Sequence, residues 1–179
     1  AASQEFEQWV QETTSARLDK GSFFGGGGWN IKPAALLSLL DKGHSTVMWV
    51  DSDIVVTSDL EQIWAKATNG NLVVTEEPWM MQKIRGDTRT RRWNLPVKRD
   101  LKCSINSGVV IVHAHHRPLL ERWRDLMEGE QYTTAQAMPF NDRPIHMKSD
   151  QDVLTALICS HSEDELPVMI LKSGRHIIQ

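Results

Sequence analysis

Two carboxylates stand one residue apart in Asp51-Ser52-Asp53, directly after the apolar run Val47-Met48-Trp49-Val50. Residues two apart in an extended chain project to the same side, so this pair can converge on one cation, and hard oxygen donors suit Mg²⁺ or Mn²⁺. An ion held there would grip a diphosphate and stabilise it as a leaving group. The same three residues also compose an ordinary turn in which both aspartates cap backbone amides. Other polar residues stand at the heads of apolar runs: Asn106-Ser107-Gly108 leads into Val109 to Val112, and Asp150-Gln151-Asp152 into Val153 to Ile158. His113-x-His115-His116 has the look of a metal cluster. On a strand, however, His116 would oppose the other two, and no carboxylate or thiol completes a set at characteristic spacing.

Strands and helices must position these groups. Val47 to Val50 reads as a strand buried on both faces, the central strand of a parallel sheet, ending at Asp51. Leu72 to Val74, Ser107 to Val112 and Val168 to Leu171 read as further strands. Pro33 suits the first turn of a helix carrying Leu36, Leu37, Leu39 and Leu40, with Gly43 as its stop. Ser58 and Glu61 have capping-box spacing for a helix through Leu60, Ile63 and Trp64 to Asn69-Gly70, and Ser149 and Asp152 repeat that spacing before Val153. Pro118 opens a helix with Leu119, Leu120, Trp123, Leu126 and Met127 on one face. Phe6, Trp9, Val10 and Leu18 fit an amphipathic first helix loosely, and Gly25 to Gly28 resist regular structure. Strands alternating with helices predict an α/β domain with a mainly parallel sheet.

The 179 residues and 40% hydrophobic content suit one globular domain spanning 1–179, or a piece of a longer catalytic domain. A formal charge of −3 argues against a nucleic-acid partner. The charge is unevenly spread. Lys83 to Lys102 holds eight basic residues against two acidic ones, which reads either as a solvated basic loop or as a mobile lid over an anionic ligand. Cys103 and Cys159 lie far apart with no CxxC pair, so neither a zinc ribbon nor a disulfide framework is indicated and a reducing compartment is the default. No apolar run is long enough for a transmembrane segment.

Trp29-x-x-Lys32, the run into Asp51-Ser52-Asp53-Ile54-Val55-Val56, Asn106-Ser107-Gly108-Val109 and Asp150-Gln151-Asp152 occur in an order that resembles GT-A-fold nucleotide-sugar glycosyltransferases, most closely the family-eight type and related DxD enzymes. The resemblance runs from about Trp29 to Leu157. It implies a GT-A-like, Rossmann-like sheet and metal-dependent transfer of a sugar from a nucleoside diphosphate donor, UDP-linked by preference, to a hydroxyl of a carbohydrate or other acceptor. It implies Mn²⁺ or Mg²⁺ on Asp53 and Asp51, with His176 as the one residue placed to be a third ligand. Lys32, Asp51, Ser52, Asn106, Ser107 and Gly108 would contact the donor, Lys32 either directly or by orienting the carboxylates. Asp150 and Gln151 would lie near the reacting carbon. The strand and helix that bind the nucleoside base in such enzymes have no counterpart before Trp29, so the fold would be incomplete at its N-terminus. A cytoplasmic location is expected, or the Golgi lumen or a membrane periphery if the chain is a fragment.

Two other readings compete. Apolar strand, Asp51-x-Asp53-x-Val55-Val56 also resembles the haloacid-dehalogenase phosphatase motif, in which Asp51 would be the nucleophile and Asp53 the general acid and base. That group's chains begin with this strand, whereas about fifty residues precede it here. A non-catalytic fragment that only binds a nucleotide or a protein is the third reading. An EF-hand loop fails, because Val55 and Val56 stand where an oxygen ligand and glycine are required.

Overall fold

Apolar runs that alternate with helix signals produce a four-stranded sheet with helices stacked mainly on one face. The computed structural model describes residues 4–16, 28–57, 59–77 and 86–173. The strands are β1 (Thr46–Val50), β2 (Leu72–Glu76), β3 (Ile105–His113) and β4 (Val168–Leu171). The α-helices are α1 (Gln4–Thr13), α2 (Lys32–Asp41), α3 (Glu61–Trp64), α4 (Gly86–Arg92), α5 (Arg117–Glu128), α6 (Glu130–Gln136) and α7 (Asp150–Cys159). No helix among the described residues is long and apolar enough to cross a membrane.

The sheet order is β1-β3-β2-β4. β3 runs antiparallel to both β1 and β2, and only β2 and β4 are parallel. The α/β class therefore stands, but the mainly parallel sheet does not, and β1 is an edge strand rather than the central one. The reason is that an unbroken apolar run reports burial, and burial says nothing about strand direction. Only Val47 of β1 is buried, whereas all five residues of β2 are. Between Val73 and Thr75 the β2–β3 register breaks: Val73 faces Ile111 and Thr75 faces Asn106, two steps along β2 against five along β3. The stretch holding Ser107 and Gly108 is thereby released from β2 while β3 keeps its pairing with β1.

The larger core lies between the sheet and α2, α5 and α7, with Leu36, Leu37, Leu120, Trp123, Leu154 and Leu157 among its members. α7 is the most enclosed helix, and Gln151 is its one residue that is not buried. The Ser149–Asp152 capping box is present, as are the Pro33 and Pro118 helix starts and the Gly43 stop, where φ is +92°. Ser58 lies outside the described residues. Its helix is shorter than expected, since α3 has four residues before the chain tightens into a 3₁₀ helix over Ala65–Gly70. Asp59 Oδ1 accepts the Glu61 N–H at 2.9 Å at its start. Trp64 is exposed rather than core, as are Phe6 and Trp9 on α1.

Where it is described, the first part of the basic segment is packed against the domain rather than wholly solvated. Residues 86–92 form α4, which packs on α7, and Arg89 makes a buried ion pair with Asp152 at 2.7 Å. Thr90 donates to Ala156 O at 3.0 Å and Trp93 to His146 O at 3.0 Å. Composition counted the charges but not the helical spacing that turns Arg89, Thr90 and Trp93 inward. Lys83 and Arg85 lie outside the described residues. His113, His115 and His116 do not oppose one another either. The strand ends at His113 and a 3₁₀ turn over Ala114–His116 brings the rings together, with centroids 4.2 Å apart for His115 and His116.

Candidate functional site

Where β1 gives out, the backbone N–H of Asp51 donates to Gly108 O at 2.8 Å, so Asp51 sits beside the released part of β3. Ile54 N–H then closes a turn onto Asp51 O at 3.1 Å. Strand alternation therefore stops at Val50, and the expected side-by-side projection of the two carboxylates fails. Asp51 turns inward, whereas Ser52 and Asp53 are exposed turn residues.

The centre of the site is the ammonium of Lys32, a side chain 3% exposed. It lies 3.0 and 3.1 Å from the two oxygens of Asp51 and 3.3 Å from Asp150 Oδ2. It also donates to Ser107 Oγ at 2.9 Å and Ser107 O at 3.2 Å. Ser107 Oγ donates onward to Asp150 Oδ2 at 2.7 Å. Lys32 opens α2, where a cation is disfavoured by the helix dipole, and burial disfavours it further. Two carboxylates offset both penalties. Trp49 supplies a second clamp, its indole N–H donating to Asp51 Oδ1 at 2.6 Å.

Asp150 begins α7, where the dipole favours an anion, and its carbonyl accepts the Trp123 indole N–H at 3.0 Å. Burial nevertheless pushes its carboxyl above the usual carboxylate range, with Lys32 and the Ser107 hydroxyl opposing that shift. Asp152 is pushed the same way by burial, against Arg89. Tyr132, raised by burial, donates to Asn30 Oδ1 at 2.9 Å and ties α6 to the segment leading into α2.

Asn106 and Gln151 lie on the other flank. Asn106 Oδ1 accepts the Gly108 N–H at 2.7 Å, and both side-chain amides donate to Glu77 Oε2, Asn106 at 2.8 Å and Gln151 at 3.2 Å. Gly108 has no room for a side chain. A Cβ there would lie 2.8 Å from Asn106 Oδ1 and 3.4 Å from Asp51 Oδ2.

Lys32, Asp51, Asn106, Ser107, Gly108, Asp150 and Gln151 are thus brought into one connected site. No hydrogen bond among the described residues joins Ser52 or Asp53 to it, and His176 lies outside the described residues. Sequence reasoning missed Glu77 and the part played by Trp49. The signal for Glu77 was present, since Glu76-Glu77 closes the apolar run from Leu72 as Asp51 closes the run from Val47. Cys103 and Cys159 are both free and buried, and burial raises both thiols, which leaves them inert. Comparison with protein-family models, with curated proteins and with solved structures gives no match for this chain.

Proposed function

We propose that the chain is a metal-dependent glycosyltransferase domain that moves a sugar from a nucleoside diphosphate donor, UDP-linked by preference, to a hydroxyl acceptor. One observation carries the reading. Four motifs separated by as much as 119 positions, around Lys32, Asp51, Ser107 and Asp150–Gln151, meet in a single hydrogen-bonded site at the end of β1. Chance aspartates in a surface turn have no reason to gather a buried lysine and a second buried carboxylate.

The described residues do not form a ready cation site: no group of three ligating side chains exists among them, and both oxygens of Asp51 are taken by Lys32 and Trp49. The exposed Asp53 would be the direct ligand, with diphosphate oxygens and water completing the ion's shell, and Asp51 would reach the ion or the donor's ribose only by giving up one of these bonds. His176 remains the proposed third ligand. The bound ion would neutralise charge on the departing diphosphate. Lys32 holds Asp51 and Asp150 in fixed rotamers, which supports the orienting role rather than direct donor contact. Gly108 lets Asn106, Ile54 and Asp51 close onto the backbone of β3, and Gln151, the partly open residue of α7, would hold a sugar hydroxyl beside the buried Asp150.

Nothing in the site favours the phosphatase. Both oxygens of Asp51 accept hydrogen bonds, which stabilises the anion and blunts it as a nucleophile. The test is a panel of UDP-, GDP- and CMP-sugars with Mn²⁺, followed by release of the nucleotide with and without simple sugar acceptors. Turnover of one donor is expected. Binding without turnover would favour the non-catalytic reading, and phosphomonoester hydrolysis without donor binding the phosphatase.

A further inference from the structure

The proposed transfer leaves Glu77 without a role. Glu77 directly follows β2, anchored by its N–H to Ser104 O at 2.9 Å, and is only 8% exposed. Glu76 before it pairs with Lys172 at 3.1 Å, so the two neighbours use opposite faces of the strand's end. Glu77 is the one turned toward the site. No cation among the described residues pairs with it. Its Oε2 gathers the amides of Asn106, from β3, and Gln151, from α7.

A carboxylate only accepts hydrogen bonds, whereas a side-chain amide has a donor end and an acceptor end that differ little in size. With both NH₂ groups committed to Glu77, both amide oxygens are directed elsewhere. Asn106 Oδ1 meets the Gly108 N–H at 2.7 Å and the Thr75 hydroxyl at 3.3 Å. The Gln151 oxygen has no hydrogen bond among the described residues, and Gln151 is the one residue of α7 left partly open. We propose that Glu77 is a positioning residue for the transfer: it fixes which way both amides face, so that Gln151 offers the donor sugar an acceptor oxygen and not an NH₂ group. This rests on the glycosyltransferase reading of the site.

Both amides share the single oxygen Oε2, which a glutamine carbonyl could replace, so the informative change is Glu77→Met, which keeps the length of the side chain and removes both acceptor oxygens, leaving both amides without this partner. With the donor that wild-type protein turns over, kcat is expected to fall about ten- to a hundredfold while donor KM stays within about threefold. The side-chain NH₂ resonances of Asn106 and Gln151 are expected to move, and Glu77→Asp to recover part of kcat. A purely structural joint would lower the melting midpoint and leave the kcat of folded protein alone. Unchanged kcat in folded Glu77→Met overturns the proposal by itself. If Glu77→Met does not fold, Glu77→Asp carries the test, and displaced amide signals with unaltered kcat overturn it. Wild-type protein that binds no nucleotide sugar with Mn²⁺ overturns the underlying reading, and the proposal with it.

Discussion

Replacing Lys32 by Met keeps most of the buried stem and removes only the charge, which isolates what the ammonium does. Asp51 loses contacts at 3.0 and 3.1 Å, yet its side chain is 31% exposed and rehydrates, so its share is about 0 to 1 kcal/mol. Asp150, with a side chain 4% exposed, cannot do so and keeps only the Ser107 hydroxyl at 2.7 Å among its side-chain partners. Leaving one member of a buried pair uncompensated costs about 3 to 5 kcal/mol, which sets the expected loss for Lys32→Met near neutral pH. In a protein of this size that corresponds to a fall of about 6 to 20 °C in melting midpoint. The loss has a defined pH dependence. Burial already raises the Asp150 carboxyl in the native state, and removing Lys32 raises it further. Native protein therefore binds more protons there than unfolded protein does, and the variant's deficit shrinks as pH falls. Urea unfolding of wild type and variant at pH 7.5 and 5.5 measures this directly, and adding Asp150→Asn should restore most of the loss. A deficit below about 1 kcal/mol, or one that grows on acidification, would refute the charge pairing on which the site is built.

Further outcomes follow from the same geometry. Asp53→Asn should leave stability within about 0.5 kcal/mol, because the side chain is exposed, yet weaken Mn²⁺-dependent donor binding; calorimetry on the folded variant checks both. Gly108→Ala should cost about 1 to 3 kcal/mol or displace Asn106, since the new methyl lies 2.8 Å from its Oδ1, and wild-type stability with wild-type donor binding would contradict that contact. Burial and the neighbouring His115 and His113 hold His116 down at about 4, against 6.5 for the free side chain. Unfolded protein therefore binds the proton first, and stability should fall by about 3 kcal/mol as pH drops from 6.5 to 4. His116→Gln should flatten that part of the stability profile, and an unaltered slope would show that another group controls it.

What the sequence made legible was local. Pro33, Pro118, Gly43 and the Ser149–Asp152 box mark helix ends by backbone chemistry that neighbours cannot override, and each stands where expected. The sheet was less legible, since Val47 to Val50 and Leu72 to Val74 carry similar apolar signals although one is an edge strand and the other is wholly buried. Asp51 could be named from its place at the end of an apolar run, and Lys32, Asn106, Ser107, Gly108, Asp150 and Gln151 from the resemblance of their motifs. Their partners could not. The bond from Trp49 to Asp51 depends on a strand ending one residue before Asp51, and the two amides on Glu77 come from Asn106 and Gln151, 29 and 74 positions away in sequence. Arg89 shows the opposite error, a charge read as part of a solvated loop or a lid and placed by tertiary packing beside Asp152.

The central claim is that the turn Asp51-Ser52-Asp53 holds a divalent ion, through Asp53, against a nucleoside diphosphate. Titration calorimetry of UDP into wild-type protein, with Mn²⁺ and with chelator, tests it most directly when repeated on Asp53→Asn. The account predicts one UDP site per chain that requires Mn²⁺ and is lost or greatly weakened in the folded variant. Binding that is indifferent to Mn²⁺ and to Asp53, or no binding at all, would contradict it.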